Sequence, residues 1–189
     1  DLMAALALQR LLATTRESGR PQAAQLDARV RASIASILAL QGVDDGWSWS
    51  GRRGKSQPAS TARALWALRL AALAGYRVAD AQLAKASMAL KNQMTAAPSG
   101  DFDTRAVLLH ALAVNGAGDF SQANHLYRER ANLSPTALVH LVLAFVEMDR
   151  ATTALELLKS SDALGGAEAS VELEALHALA LQRVAPQSP

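Results

Sequence analysis

The 189 residues are 50% hydrophobic but only 4% aromatic, with 19 basic against 17 acidic side chains and a net charge of +2. No dense basic run with interleaved aromatics is present, so nucleic acid is not an expected partner. There is no Cys, which excludes disulfides, thiolate metal sites and a cysteine nucleophile. No apolar run reaches membrane-spanning length, so no direct membrane insertion is expected either.

Ala and Leu carry the apolar content, and β-branched and aromatic residues are scarce. Ala has the best helix propensity and the scarce types favour strands, so the composition is that of an all-α chain. The sequence starts in mid-pattern at Asp1 and Leu2, without a basic-then-apolar signal segment, which reads as an excised piece of a longer protein.

From Leu2 to about Thr15 apolar residues fall on all faces, which predicts a buried helix. Glu17 to Pro21 reads as a turn. From about Ala23 to Leu40, Leu26, Val30, Ile34, Ile37 and Leu38 recur at steps of three and four, the mark of an amphipathic helix. Gly42 to Gln57 is a loop with Trp47 and Trp49, then Arg52, Arg53 and Lys55 between glycines. Pro58 suits the first turn of a helix running to Ala74, and Gly75 would close it in the left-handed region.

Asp80 is placed to cap a helix to about Met94. Ala97 to Gly100 breaks the chain, and Asp101 or Asp103 opens an apolar helix to about Asn115. Asp119 caps a short amphipathic helix carrying Phe120, Ala123, Leu126 and Tyr127. Ser134 and Pro135 form an N-cap and first-turn proline for a strongly apolar helix, Thr136 to Met148. Ala151 to Ser160 is a shorter helix with Leu155 and Leu158 inward. After Gly165-Gly166 a last helix runs from Glu168 to about Val184, and residues 185–189 read as a frayed tail.

The odd-numbered helices are apolar on most faces, the ninth less cleanly, and the even ones are amphipathic. Such alternation calls for two layers, inner helices touching several neighbours and outer helices covering them. Thr61, Thr104 and Thr136 each begin an inner helix, with Gly75, Gly118 and Arg150 fourteen residues on; their spacings of 43 and 32 residues are those of helical-hairpin repeats. An open α-solenoid and a closed α/α toroid both fit.

The details favour the toroid. D-D-G-W-S-W (Asp44 to Trp49) resembles the D-G-G-W-x-W turns of α/α-toroid proteins, among them terpene cyclases, prenyltransferase β subunits and thioester-containing domains. T-A-R-A-L-W-A-L-R-L-A-A-L-A-G-Y-R-V (Thr61 to Val78), R-A-V-L-L-H-A-L-A-V-N-G (Arg105 to Gly116) and the stretch Asn132 to Leu158 resemble successive segments of the bacterial α2-macroglobulin family. The resemblance covers roughly Ile37 to Leu158. It implies a single all-α, α/α-toroid domain over residues 1–184 of a larger extracytoplasmic (periplasmic or cell-surface) protein, a protease trap. The domain would be non-enzymatic, without cofactor, its partners being other domains of the parent and, through them, proteases. In that family a Cys–Gln thioester precedes the D-G-x-W turn. This chain has no Cys, so either the motif lay upstream or the parent lacks it. Nine helices fall short of a full toroid, implying an incomplete ring or a chain trimmed at its start.

The candidate residues follow. Trp47 and Trp49 are read as plugs of the helical barrel, or, with Arg52, Arg53 and Lys55, as a partner-contact loop. Asp101-Phe102-Asp103-Thr104 resembles the D-x-D-D motif of terpene cyclases, in which Asp103 would be the acid, but Thr104 replaces the last carboxylate and capping is the plainer role. His110, His140 and His177 lie on apolar helices and His125 on an outer one. No pair has metal-ligand spacing along one helix face, so they are read as satisfied core histidines, unless His110 and His140 point into one cavity. Ser50, Ser56 and Ser60 lack the context of a hydrolase nucleophile.

Overall fold

The computed structural model describes residues 2–15, 21–161 and 170–184. The expected turn before Pro21, the Gly165-Gly166 break and the tail 185–189 lie outside them. The described residues form α1 (Leu2–Thr14), α2 (Pro21–Ala39), α3 (Pro58–Leu73), α4 (Asp80–Ala96), α5 (Phe102–Val114), α6 (Phe120–Arg128), α7 (Pro135–Glu147), α8 (Ala151–Ser161) and α9 (Val171–Val184). Short 3-10 turns occupy Gly51–Arg53 and Arg130–Asn132. No strand occurs among the described residues. The chain divides into two compact units, Asp1–Ala89 and Leu90–Pro189.

In the first unit α1 packs on α2 and α3, and α2 meets α3. The core draws Leu2, Ala5 and Leu6 from α1, Val30 and Ile34 from α2, and Ala62, Leu65, Ala67, Leu68 and Ala71 from α3. Alanines at α3's contact face let its neighbours approach closely, at little cost in side-chain entropy. A polar seam joins three elements. Gln9 of α1 donates to the Tyr76 hydroxyl, which donates to Asp27 Oδ1 at 2.8 Å; Arg31 Nε donates to Asp27 Oδ2 at 2.8 Å. Arg31 first, and Tyr76 after it, hold the Asp27 carboxyl below its ordinary range.

Two expectations for this unit change. α1 is not buried all round: Leu8 and Leu11 are 53% and 57% exposed. Its described neighbours, α2 and α3, cover only part of its circumference. The second helix starts at Pro21 rather than Ala23, because a proline fits the first helical position, where no N–H is needed.

In the second unit α7 is the axis. It packs on α5, α6, α8 and α9, and every residue from Ala137 to Phe145 is buried. Nine successive buried residues cover every azimuth of a helix, which is possible only with neighbours on all sides. α5 is nearly as enclosed, with Ala106 and Leu108 to Val114 buried. α6 and α8 turn one face inward, Ala123 and Leu126 on α6 and Ala154, Leu157 and Leu158 on α8. Leu155, expected inward, is 37% exposed, since the buried stripe of α8 runs through Ala154, Leu157 and Leu158. α9 starts at Val171 among the described residues and buries only Leu176 and Ala180, because α7 and α8 flank a single side of it.

Three helices, α3, α5 and α7, end alike. Gly75, Gly116 and Asp149 have φ of 89°, 73° and 59°. The next N–H reaches back five residues in each case: Tyr76 to the Ala71 carbonyl at 3.0 Å, Ala117 to Leu112 at 2.8 Å, Arg150 to Phe145 at 2.9 Å. These are Schellman closures; of the repeat positions Gly75, Gly118 and Arg150 only Gly75 is the left-handed residue, the other two closures turning at Gly116 and Asp149. At the starts, Asp101 accepts the Thr104 N–H, Asp119 those of Ser121 and Gln122, and Ser134 that of Ala137. Asp80 departs from its expected capping role. The Ala79 carbonyl accepts the N–H groups of Gln82 and Leu83, so Asp80 sits inside the first turn, where its charge faces the positive end of the helix.

Candidate functional site

The loop from Gln41 to Gln57 is built around Trp47. Its indole Nε1 donates to the Ile37 carbonyl at 2.7 Å and its backbone N–H donates to Thr61 Oγ1 at 3.0 Å. The Trp47 carbonyl accepts the Gln57 N–H at 2.8 Å. The ring therefore ties the end of α2 to the start of α3, and it is 6% exposed. Burying so large a ring is affordable because its only polar atom and both its backbone groups are satisfied.

The turn before it is locked as well. Gly42 N–H donates to the Gly46 carbonyl at 2.8 Å, and Gln41 Nε2 to the Asp45 carbonyl at 2.8 Å. Asp44 Oδ2 accepts the Ser56 N–H at 3.0 Å, pinning the far side of the loop. Burial pushes the Asp44 carboxyl up, but hydrogen bonds from Ser56, Gly46 and its own backbone outweigh that and hold it below the ordinary value. A Cβ on Gly46 would meet Ser56 Cβ at 2.4 Å, so glycine is required by space there. Lys85 lies 3.9 Å from Asp45, an exposed pair of little energetic weight.

Trp47 and Trp49 thus part company. Trp47 is the plug and offers no surface to a partner. Trp49 is 81% exposed and Val43 98%. Arg52 and Lys55 are exposed on the same loop, and the side chain of Arg53 lies outside the described ones. Among the described side chains of the loop's candidates, Trp49, Arg52 and Lys55 are the exposed ones.

Asp101 and Asp103 both serve the backbone. Asp101 is the N-cap of α5, and Asp103 Oδ1 accepts the Ser134 N–H at 2.9 Å, joining the first turn of α5 to that of α7. Arg105 completes this corner by donating to the carbonyls of Ala97 at 2.9 Å and Pro98 at 3.2 Å. An acid poised for alkene protonation would face an apolar cavity, whereas Asp103 faces an amide.

His110 and His140 do come together. Their Nδ1 atoms are 2.9 Å apart and their ring centroids 5.1 Å, with the residues 2% and 6% exposed. Burial above all, and then the positive potential of His140 and Arg183, holds His110 well below the usual imidazole range. His125 stands apart, its ring 6.2 Å from that of Phe102. Among the described residues no group of three or more His, Cys, Asp or Glu side chains converges as a metal site. No described helix is long and apolar enough to cross a membrane.

The sequence carried no expectation for two elements, the Asp44 clamp on Ser56 and the Thr61 hydroxyl beneath Trp47. Both are signalled by spacing, an Asp two residues before the Gly of the D-G-W turn and a Thr fourteen after the buried Trp. The meeting of His110 and His140 stood only as a condition, because they are 30 residues apart on different helices.

Two enclosed helices, α5 and α7, with helices buried on one face around them, tight closures and a tryptophan-plugged corner fit an all-α domain of the α/α-toroid type. Bacterial α2-macroglobulins contain the same fold. The native conformation of the Escherichia coli protein superposes with a TM-score of 0.71 at 17% identity, over 84% of this chain and 11% of that one. The trypsin-activated E. coli protein gives 0.70 at 20% identity, over 83% and 12%. Salmonella α2-macroglobulin reacted with methylamine gives 0.67 at 19%, over 84% and 12%. This chain therefore spans roughly a ninth to an eighth of those proteins. By sequence it matches no family model and no curated protein.

Proposed function

We propose that residues 1–184 act as one non-enzymatic scaffold domain of a bacterial α2-macroglobulin-like protease trap, exported from the cytoplasm. The observation that carries this reading is the superposition on bacterial α2-macroglobulins over more than four-fifths of the chain. The relatives' names supply the protease, since one of them is a trypsin-activated form. The chain contains no Cys and so makes no Cys–Gln thioester of its own. Its contribution is a helical surface on which neighbouring domains of the parent rest. Trp49, Arg52 and Lys55 are the contact residues, because they project from a loop whose backbone is already fixed, and a fixed loop loses little entropy on docking.

The test is to incubate the full-length parent with trypsin and follow the protease by size-exclusion chromatography. Trypsin eluting with the parent supports the trap. Free trypsin beside a parent cut to unassociated fragments would sink it.

A further inference from the structure

We propose that the His110–His140 pair is an acid-sensitive latch, holding α5 against α7 in neutral solution and releasing the second unit when protons are forced onto it.

The argument starts from the contact. Two Nδ1 atoms at 2.9 Å share one hydrogen, so one ring donates Nδ1–H and the other accepts with a bare Nδ1. A first added proton goes to the donor's Nε2; it keeps the bond but places a cation among the buried leucines of α5 and α7. A second proton makes both Nδ1 atoms donors, and the bond is replaced by repulsion.

The pair sits in the most extensive helix contact of the unit, between the buried residues Ala106 and Leu108 to Val114 of α5 and the buried stretch 137–145 of α7. Rearrangement of either ring is therefore felt along both helices, as a core this dense does not deform smoothly.

The surrounding charges do not favour protonation. Arg183 of α9 disfavours a positive charge on His110, and Glu147 at the end of α7 is engaged with Arg183 at 3.3 Å. α9 also carries the half-buried His177. Asp103 and Arg105 of α5 are engaged at the corner with Ser134, Ala97 and Pro98. The charged groups of α6 and α8, including His125, Arg128, Glu156 and Lys159, are exposed.

The sign follows from linkage. The folded state excludes a proton that the unfolded chain accepts near the ordinary imidazole value, so stability is complete above that value and falls as pH drops below it. Excluding one proton should raise the unfolding equilibrium constant about tenfold between about pH 7.5 and about pH 5.5, and excluding two about a hundredfold.

The experiment is urea unfolding of this 189-residue chain at those two pH values, beside the His110→Leu/His140→Met double variant. The latch predicts that the variant's pH response is at least about tenfold smaller than the wild type's, whatever its stability at neutral pH. An equal response in both would overturn it. Should the variant not fold, imidazole nitrogen NMR of the wild type decides. The latch requires His110 to be unprotonated at the lower pH, as its burial dictates. A protonated His110 with unchanged α5 and α7 amide signals overturns it.

Discussion

The hydroxyl of Thr61 accepts the backbone N–H of Trp47 at 3.0 Å, across fourteen residues and a whole loop. Thr61 is fully buried, so the donor has no access to water if the acceptor is lost. Thr61→Val keeps shape and removes the acceptor, and should cost about 1–3 kcal/mol in urea unfolding. Thr61→Ser should recover most of it; equal losses in both variants would mean that the methyl group, not the bond, matters.

The two tryptophans of the loop should respond oppositely to truncation. Trp47→Ala empties a buried, hydrogen-bonded site and should cost about 3–5 kcal/mol. Trp49→Ala removes an exposed ring and should stay within about 0.5 kcal/mol, while weakening association with the rest of the parent if the loop is a contact. Acrylamide should quench less in Trp49→Ala than in wild type, because Trp49 is 81% exposed.

The Asp44 clamp should be pH-dependent in a defined direction. Its folded carboxyl lies below the ordinary value, so its stabilisation is present above the unfolded value, about 3.9, and lost as pH falls through the lower folded one. Wild type should exceed Asp44→Ala by about 0.5–1.5 kcal/mol near neutrality, the scale of one hydrogen bond. That margin should shrink below about pH 4. A margin that grows in acid would refute the assignment.

The Schellman ends separate glycine from aspartate. Asp149 holds φ 59° without being glycine. Asp149→Gly should stabilise the second unit by up to about 1 kcal/mol, whereas Gly75→Ala should destabilise the first by about 1–2 kcal/mol. Calorimetric midpoints moving in the same direction would contradict this account.

The buried helices were legible from the sequence where neighbours exist to bury them. Leu138 to Phe145 read as apolar all round, and α7 is enclosed all round. Leu8 and Leu11 read the same way and are exposed, because hydrophobicity reports what a helix could bury, not whether a neighbour is present. The D-G-W turn marked the corner correctly, yet nothing in its pattern told Trp47 from Trp49. That distinction depends on which ring reaches the Ile37 carbonyl, a three-dimensional fact. The meeting of His110 and His140 stood only as a condition for the same reason, since helix pairing and not spacing brings the two rings together.

Nine enclosed residues in a row also set the kinetics of the second unit. Peptide groups of α7 between Ala137 and Phe145 have no route to solvent through local fraying, since each side is shut by another helix. Deuterium and proteases can reach them only when the unit opens as a whole, so the exchange rate of this one helix reads out the lifetime of the entire folded half.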